Sequence, residues 1–162
     1  MNKLEKDILK LLREDARYSA GKIAVMLGED EKKVAGIIAD MEKKGIIVKY
    51  SAFINGELAE DKVQALIEVK VVPQKSHGFD AIAEDIYNME EVKSLYLMSG
   101  AYDLAVFVEG KSLRDVAMFV SERLSAMDTV LSTATHFILK KYKIEGTVVD
   151  TDERTSRLAV QP

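Results

Sequence analysis

The sequence predicts an α+β protein in two parts, a helical head followed by a β-α-β-β-α-β half. Three observations carry that reading. Between Leu4 and Met41 the apolar residues recur at i, i+3, i+4 and i+7, the spacing of helices with one buried face. From Val63 onward the rhythm becomes alternation, interrupted twice by helical spacing. Charge divides the same way: residues 1–60 hold 11 Lys/Arg and 11 Asp/Glu, whereas 61–162 hold 12 and 16, so the net −4 lies entirely in the second half. The pattern places a helix-turn-helix at 1–52, a hinge at 53–62, an α/β domain at 63–146 and a polar tail at 147–162. A chain of 162 residues is long enough for two small cores.

In order, Leu4, Ile8, Leu11 and Leu12 form a helical stripe over about 4–14. Ser19 is placed to cap a second helix with apolar positions Ala20, Ile23, Ala24 and Leu27. Gly28 follows, where a backbone needing positive φ wants glycine. Glu29, Asp30 and Glu31 open a third helix, with Val34, Ile37, Ile38 and Met41 facing inward and Gly45 as its stop. A helix pair closed by a short turn is the helix-turn-helix, whose second helix can enter a DNA major groove. The same pattern suits any corner between two helices. Residues 46–53 then alternate as an extended segment, and Asn55-Gly56 is a strong turn signal.

In the second half, Val63, Ala65, Ile67, Val69 and Val71 predict a strand ended by Pro73. Phe79, Ile82, Ala83 and Ile86 predict a helix over about 77–88. Strands at 92–99 and 103–109 flank Gly100-Ala101-Tyr102, and a helix carrying Leu113, Val116, Ala117, Val120 and Leu124 is capped by Ser112. A last strand is expected over 130–143. This order is the ferredoxin-like split βαβ arrangement, two helices on one face of an antiparallel sheet. The other face carries Leu66, Leu97 or Met98, and Phe107 or Val108, depending on register, which points to oligomerisation.

Composition excludes several classes. There is no cysteine, so neither disulfides nor thiolate metal sites. His77 and His136, the only histidines, lie 59 residues apart and make no metal spacing or catalytic triad. The N-terminus is too charged for a signal peptide, and no apolar run reaches membrane-spanning length. The expectation is a cytoplasmic protein with no cofactor, no catalytic residue and no membrane partner.

The chain resembles the Lrp/AsnC family, the leucine-responsive feast/famine regulators. The resemblance rests on 15–19 (DARYS), Ile23-Ala24, Gly28, Val34, Ile38, Met41-Glu42, Gly45-Ile46-Ile47 and 50–52 (YSA), and on 99–103 (SGAYD) in the second half. It implies a winged-helix-like DNA-binding head, a hinge strand, an effector-binding domain, and dimers through paired sheets that assemble into tetramers or octamers. The implied partners are double-stranded DNA and a small effector, an amino acid. One departure stands out: members commonly carry Arg where this chain has Ile37, and basic residues near Ala39 and Asp40. The third helix therefore sets Lys32, Lys33, Lys43 and Lys44 against five acids, and weaker DNA binding is expected. Other readings are a tetrapyrrole decarboxylase of the same architecture, which would need His or Arg around its macrocycle, or a sensor-only partner with a weak head.

The DNA-contact candidates are Arg17, Ser19, Lys22, Lys32, Lys33, Ala35, Gly36 and Lys43. Lys32 and Lys33 start the recognition helix, and small Ala35 and Gly36 would permit close approach to the groove. The effector candidates are Ser99, Gly100, Ala101, Tyr102 and Asp103, a turn whose backbone N–H groups can hold a carboxylate and whose Asp can pair with an ammonium. By resemblance, Ser132, Thr133 and Thr135 line the same pocket from a neighbouring subunit.

Overall fold

The computed structural model describes residues 1–52, 54, 62–72 and 78–149. They belong to two compact units, Met1–Ile54 and Asn55–Pro162, taken separately below.

The head holds three helices, α1 (Lys3–Glu14), α2 (Ala20–Leu27) and α3 (Glu31–Lys43). Each begins on a side-chain cap. Asn2 and Glu5 form a reciprocal capping box on α1, with both bonds at 2.8 Å. Ser19 Oγ accepts from the Lys22 N–H, and Asp30 Oδ1 accepts from the Lys33 N–H. Gly28 (φ 67°) and Gly45 (φ 69°) take the left-handed conformation that ends α2 and α3. The core is small: Ile8, Ile23, Ala24, Val34 and Met41 are buried, with Leu4, Leu12, Tyr18, Ile37 and Ile38 packed around them. Burying a branched aliphatic contributes about 1.5–3 kcal/mol, while ordering each residue's backbone costs about 1–2 kcal/mol. So small a core leaves the caps and glycine stops a real share of the head's stability.

The extended segment expected over 46–53 forms no strand among its described residues. The Ile46 and Ile47 N–H groups both return to the Met41 carbonyl, curling the chain around the end of α3. Among the described residues of this unit no strand offers a ladder, and Val48 is 86% exposed. Phe53, the rest of the hinge and the Asn55-Gly56 turn lie outside the described residues.

The second unit is a four-stranded antiparallel sheet of β1 (Val63–Val71), β2 (Val92–Leu97), β3 (Leu104–Gly110) and β4 (Val130–Phe137), in the order β2-β3-β1-β4. Helices α4 (Phe79–Tyr87) and α5 (Leu113–Phe119) connect the strands as the split βαβ pattern requires, and α5 continues into a π-helical turn at Val120–Leu124. Ser112 caps α5 through the Asp115 N–H. Ala65, Ile67 and Val69 of β1 and Leu104, Val106 and Val108 of β3 stand in register on the helix-covered face, against Ile82, Ile86, Val116 and Phe119. Gly110 lies so close to α5 that a Cβ there would meet the Val116 side chain at 3.0 Å.

Register settles the open face. Leu66 opposes Phe107, and Tyr96 opposes Ala105, on the side away from the helices. Leu97 pairs with Leu104 and Val108 with Ala65, so both belong to the covered face rather than the open one. The last strand is also shorter than expected. It stops at Phe137, opposite Ala65, with one further bond from the Ile138 N–H to the Gln64 carbonyl at 2.9 Å before β1 runs out at Val63. Beyond it a two-residue hairpin forms from β5 (Lys143–Ile144) and β6 (Thr147–Val148). Pro73, His77 and residues 150–162 lie outside the described residues.

Candidate functional site

On α3 the buried residues leave one face to solvent. Lys32, Gly36, Ala39 and Lys43, at i, i+4, i+7 and i+11, fall along its centre with Ala35 beside them, and all five are exposed. A lysine thus stands at each end of a strip where the helix backbone is almost bare. A Cβ added at Gly36 would touch nothing within 4 Å. The acids sit off this strip. The Asp40 carboxylate accepts from Lys44 Nζ at 2.5 Å, Glu42 Oε1 accepts from the Tyr50 hydroxyl at 2.9 Å, and the Glu31 carboxylate lies over Gly21. Burial and the Glu42 carboxylate raise the Tyr50 pKa and keep its hydroxyl a donor. Ile37 is half-buried against the core, where arginine would not fit without turning outward.

The other head candidates are already engaged. Arg17 holds Asp15 in a bidentate pair, with Nε and Nη2 each 2.9 Å from a carboxylate oxygen. That pair brings the Asp15 pKa down to about 2. Lys22 Nζ lies 4.1 Å from the centre of the Tyr18 ring. Lys33 Nζ donates to Glu29 at 2.7 Å. Ser19 serves as a cap. Of the candidates, Lys32, Lys43, Ala35 and Gly36 share one exposed face with Ala39, which the sequence reading had set aside as missing charge. The i, i+4 spacing of Glu29/Lys33 and Asp40/Lys44 was the available signal that these acids would be neutralised.

In the second unit, the turn 98–103 is anchored by Asp103. Its N–H donates to Val69 O at 3.0 Å, its carbonyl accepts from the Met98 N–H at 2.7 Å, and its carboxylate accepts from the Val71 N–H at 2.9 Å. The last bond falls where the β1–β4 register shifts between Lys70 and Val71, satisfying an N–H beside the bulge. Ser99, Gly100 and Ala101 are exposed and Tyr102 is half-buried. Ser132 opposes Lys70 on the open face, whereas Thr133 opposes Val69 and Thr135 opposes Ile67 on the covered face. Thr133 Oγ1 lies 3.2 Å from Ser125 Oγ. The turn and Ser132 stand at one end of the sheet with β1 between them, about two strand spacings, or ~10 Å, apart. Within one chain the eight effector candidates therefore do not converge.

A cleft of about 280 Å³ opens instead between α4 and the edge strand β2. Phe79, Ala83, Leu95, Leu97 and Leu104 make its apolar wall, and Asp80, Tyr87, Lys93 and Ser94 bring polar groups to it. Leu97 and Leu104 are the residues at which β2 and β3 enter and leave the 98–103 turn. Among the described residues no group of three His, Cys, Asp or Glu side chains could hold a metal ion, and no helix is long and apolar enough to cross a membrane.

Residues 1–48 match the family model for a winged helix-turn-helix DNA-binding domain, and residues 64–148 match the model for the Lrp/AsnC ligand-binding domain. Together they define the class, a DNA-binding head on a ligand-binding domain. The chain belongs to the Lrp/AsnC family of transcriptional regulators. It is similar to YugG of Bacillus subtilis (strain 168), described as an uncharacterized HTH-type transcriptional regulator, at 47% identity over 98% of this chain and 96% of that one. It is 30% identical to the HTH-type transcriptional regulator LrpA of Pyrococcus horikoshii over 86% of this chain and 96% of the relative. Among solved structures, the leucine response regulatory protein LrpA of Mycobacterium tuberculosis superposes with a TM-score of 0.78 at 22% identity, covering 93% and 100% of the two chains. A transcriptional regulator from Neisseria meningitidis solved as an L-Met complex gives 0.76 at 21%, covering 95% and 99%. At such identities the likeness is one of fold. The relatives carry regulator names, and nothing in the site favours the decarboxylase alternative.

Proposed function

We propose that this regulator works in the cytoplasm as a dimer or larger homo-oligomer, and that an amino acid changes its assembly or its affinity for double-stranded DNA. The observation that carries the DNA part is the α3 strip, small residues framed by Lys32 and Lys43 with the acids drawn to either side. The effector part is supported by the match to a ligand-binding domain and by the L-Met complex of the Neisseria structure. The 98–103 turn, with Ser132, Thr133 and Thr135 supplied by a second subunit, is the proposed effector site, and it borders the α4–β2 cleft. An effector that prefers one assembly changes DNA affinity by the same coupling free energy.

Each head carries few free cations on its recognition face, so a single head binds weakly and two heads on one oligomer restore affinity through effective concentration. Fluorescence anisotropy with duplex DNA from its own upstream region, at rising salt and with each amino acid in turn, tests the proposal. The expected result is a shallow salt slope and one or a few amino acids that shift affinity. The same ligands should raise the melting temperature, because binding only the folded state stabilises it. No DNA binding at low salt would refute the DNA reading. Binding indifferent to every amino acid would refute the effector reading.

A further inference from the structure

β2 is an edge strand whose outer side is open. It stands at the end of the order β2-β3-β1-β4, and among the described residues no strand pairs with it on the side away from β3. The Met98 N–H donates to the Asp103 carbonyl at 2.7 Å, which fixes the phase of the β2–β3 ladder. Hydrogen-bonded and non-bonded pairs alternate along an antiparallel ladder. Ser94, Tyr96 and Met98 therefore turn their backbone groups toward β3, and Leu95 and Leu97 turn theirs to the open edge. Proteins blunt such edges with charge, proline, bulges or a covering element. Residues 94–102 (SLYLMSGAY) hold neither a charge nor a proline, and the one irregularity of β2 lies before them, between Val92 and Ser94. Tyr96 is 53% exposed and Leu97 62%. Helix α4 does not close the edge: the cleft of about 280 Å³ lies between them, with Phe79, Ala83, Leu95 and Leu97 in its apolar wall.

We propose that β2 is a self-association surface, at which its edge pairs antiparallel with β2 of a second copy and joins two four-stranded sheets into one of eight. This rests on the homo-oligomer reading above and assigns the contact that takes assembly beyond a dimer paired through its open faces. Register selects a second copy as the occupant. Setting Leu95 opposite Leu97 of the second copy, and Leu97 opposite its Leu95, uses the outward groups of both strands in four N–H···O=C bonds about a two-fold axis at Tyr96. The side chains suit the same register. Leu95 and Leu97 lie on the helix-covered face, opposite Val106 and Leu104, so the Leu97 of each copy enters the cleft of the other. Tyr96 lies on the open face, where the two rings meet beside Phe107. No charge opposes another along the seam. Four backbone bonds and two leucines are too few to hold free monomers together against the cost of association. Between dimers, each of which carries two such edges, the contacts reinforce one another through effective concentration.

The test uses the full chain, which has no cysteine of its own. Sedimentation velocity compares the parent with L97P, which removes an outward N–H, and with L97K, which keeps the N–H and sets a charge in the seam. The parent should run larger than a dimer, and both variants as a dimer with parental circular dichroism. A single introduced thiol reads the register. In Y96C the two Cα atoms at the two-fold axis lie about 4.5 Å apart, within the reach of a disulfide. In S94C they are separated by roughly 13 Å along the strands. Under mild oxidation Y96C should give a covalent dimer, while S94C and Y96C/L97P give none. A Y96C protein that does not cross-link overturns the proposal, and so does an S94C protein that cross-links equally well. A cross-link that persists in Y96C/L97P also overturns it, because the open faces then bring the thiols together. Leu97 variants of parental mass overturn it and leave the homo-oligomer reading intact, whereas a monomeric parent overturns both. If L97P loses its circular dichroism, L97K and Y96C/L97K decide the same questions.

Discussion

Arg17 and Asp15 show how one residue can be both a local fastener and a candidate contact. The guanidinium's side-chain bonds are the largest cause holding the Asp15 pKa at about 2 instead of 3.8, and the Arg17 backbone N–H adds to them. The native value is depressed, so the pair's contribution is complete above pH ~4 and is lost as pH falls through the native value near 2. Carboxyl NMR should therefore place the Asp15 midpoint near 2 in the parent and higher in R17Q, short of 3.8 because the backbone bond remains. An unmoved midpoint in R17Q would mean the side-chain pair does not form in solution. The caps belong to the same scale. Replacing Ser19 by Ala removes the acceptor for the Lys22 N–H and should cost about 1 kcal/mol. Placing Ala at Gly28 forces a Cβ into φ 67° and should cost about 1–2 kcal/mol. Urea unfolding of the full chain checks both, and equal stability of either variant with the parent would show that the stop or cap is dispensable.

At the scale of the element, the 98–103 turn separates a scaffold role from a ligand role within one side chain. Asp103 satisfies the Val71 N–H at the β1 bulge, and an unpaired, partly buried N–H there costs roughly 1–3 kcal/mol. D103A should lose that much in urea unfolding. D103N keeps an acceptor oxygen and should unfold nearly as the parent does, yet it lacks the charge for an ammonium. Calorimetry with the amino acid found in the effector screen should then show binding weakened in D103N at nearly unchanged stability. Full affinity in D103N would confine Asp103 to the scaffold. The elements themselves were legible from the sequence where local chemistry decides them: Ser19, Gly28, Gly45 and Ser112 each cap or stop a helix at the expected residue. Tertiary partners were not legible. That β4 ends at Phe137 depends on where β1 begins, and that Leu97 and Val108 face the helices depends on register. The α3 strip was half legible, since helical spacing showed which residues point outward and i, i+4 spacing set Lys44 beside Asp40, but not that Tyr50 would hold Glu42 aside.

For the whole molecule, the open sheet face sets what assembly has to accomplish. It centres on Leu66, Phe107, Tyr96 and Ala105, with Tyr96 and Phe107 in edge-to-face contact at 6.0 Å between ring centres. Around them stand Glu68, Lys70, Glu109 and His136, and His136 Nε2 lies 3.5 Å from Glu68 Oε1. An apolar centre with both signs of charge at its rim is what a two-fold interface can match to itself. One charge at the centre should be enough to undo it. F107E leaves the helix-side core untouched, because Phe107 points away from it. In sedimentation velocity the parent should run as a dimer or larger species and F107E as a monomer with parental circular dichroism. DNA affinity should fall with it by about 10²-fold or more, since two tethered heads become two independent ones. A monomer that keeps parental affinity would show that one head suffices and that the α3 strip is stronger than its two lysines suggest. An F107E protein of unchanged mass would move the interface off the sheet altogether.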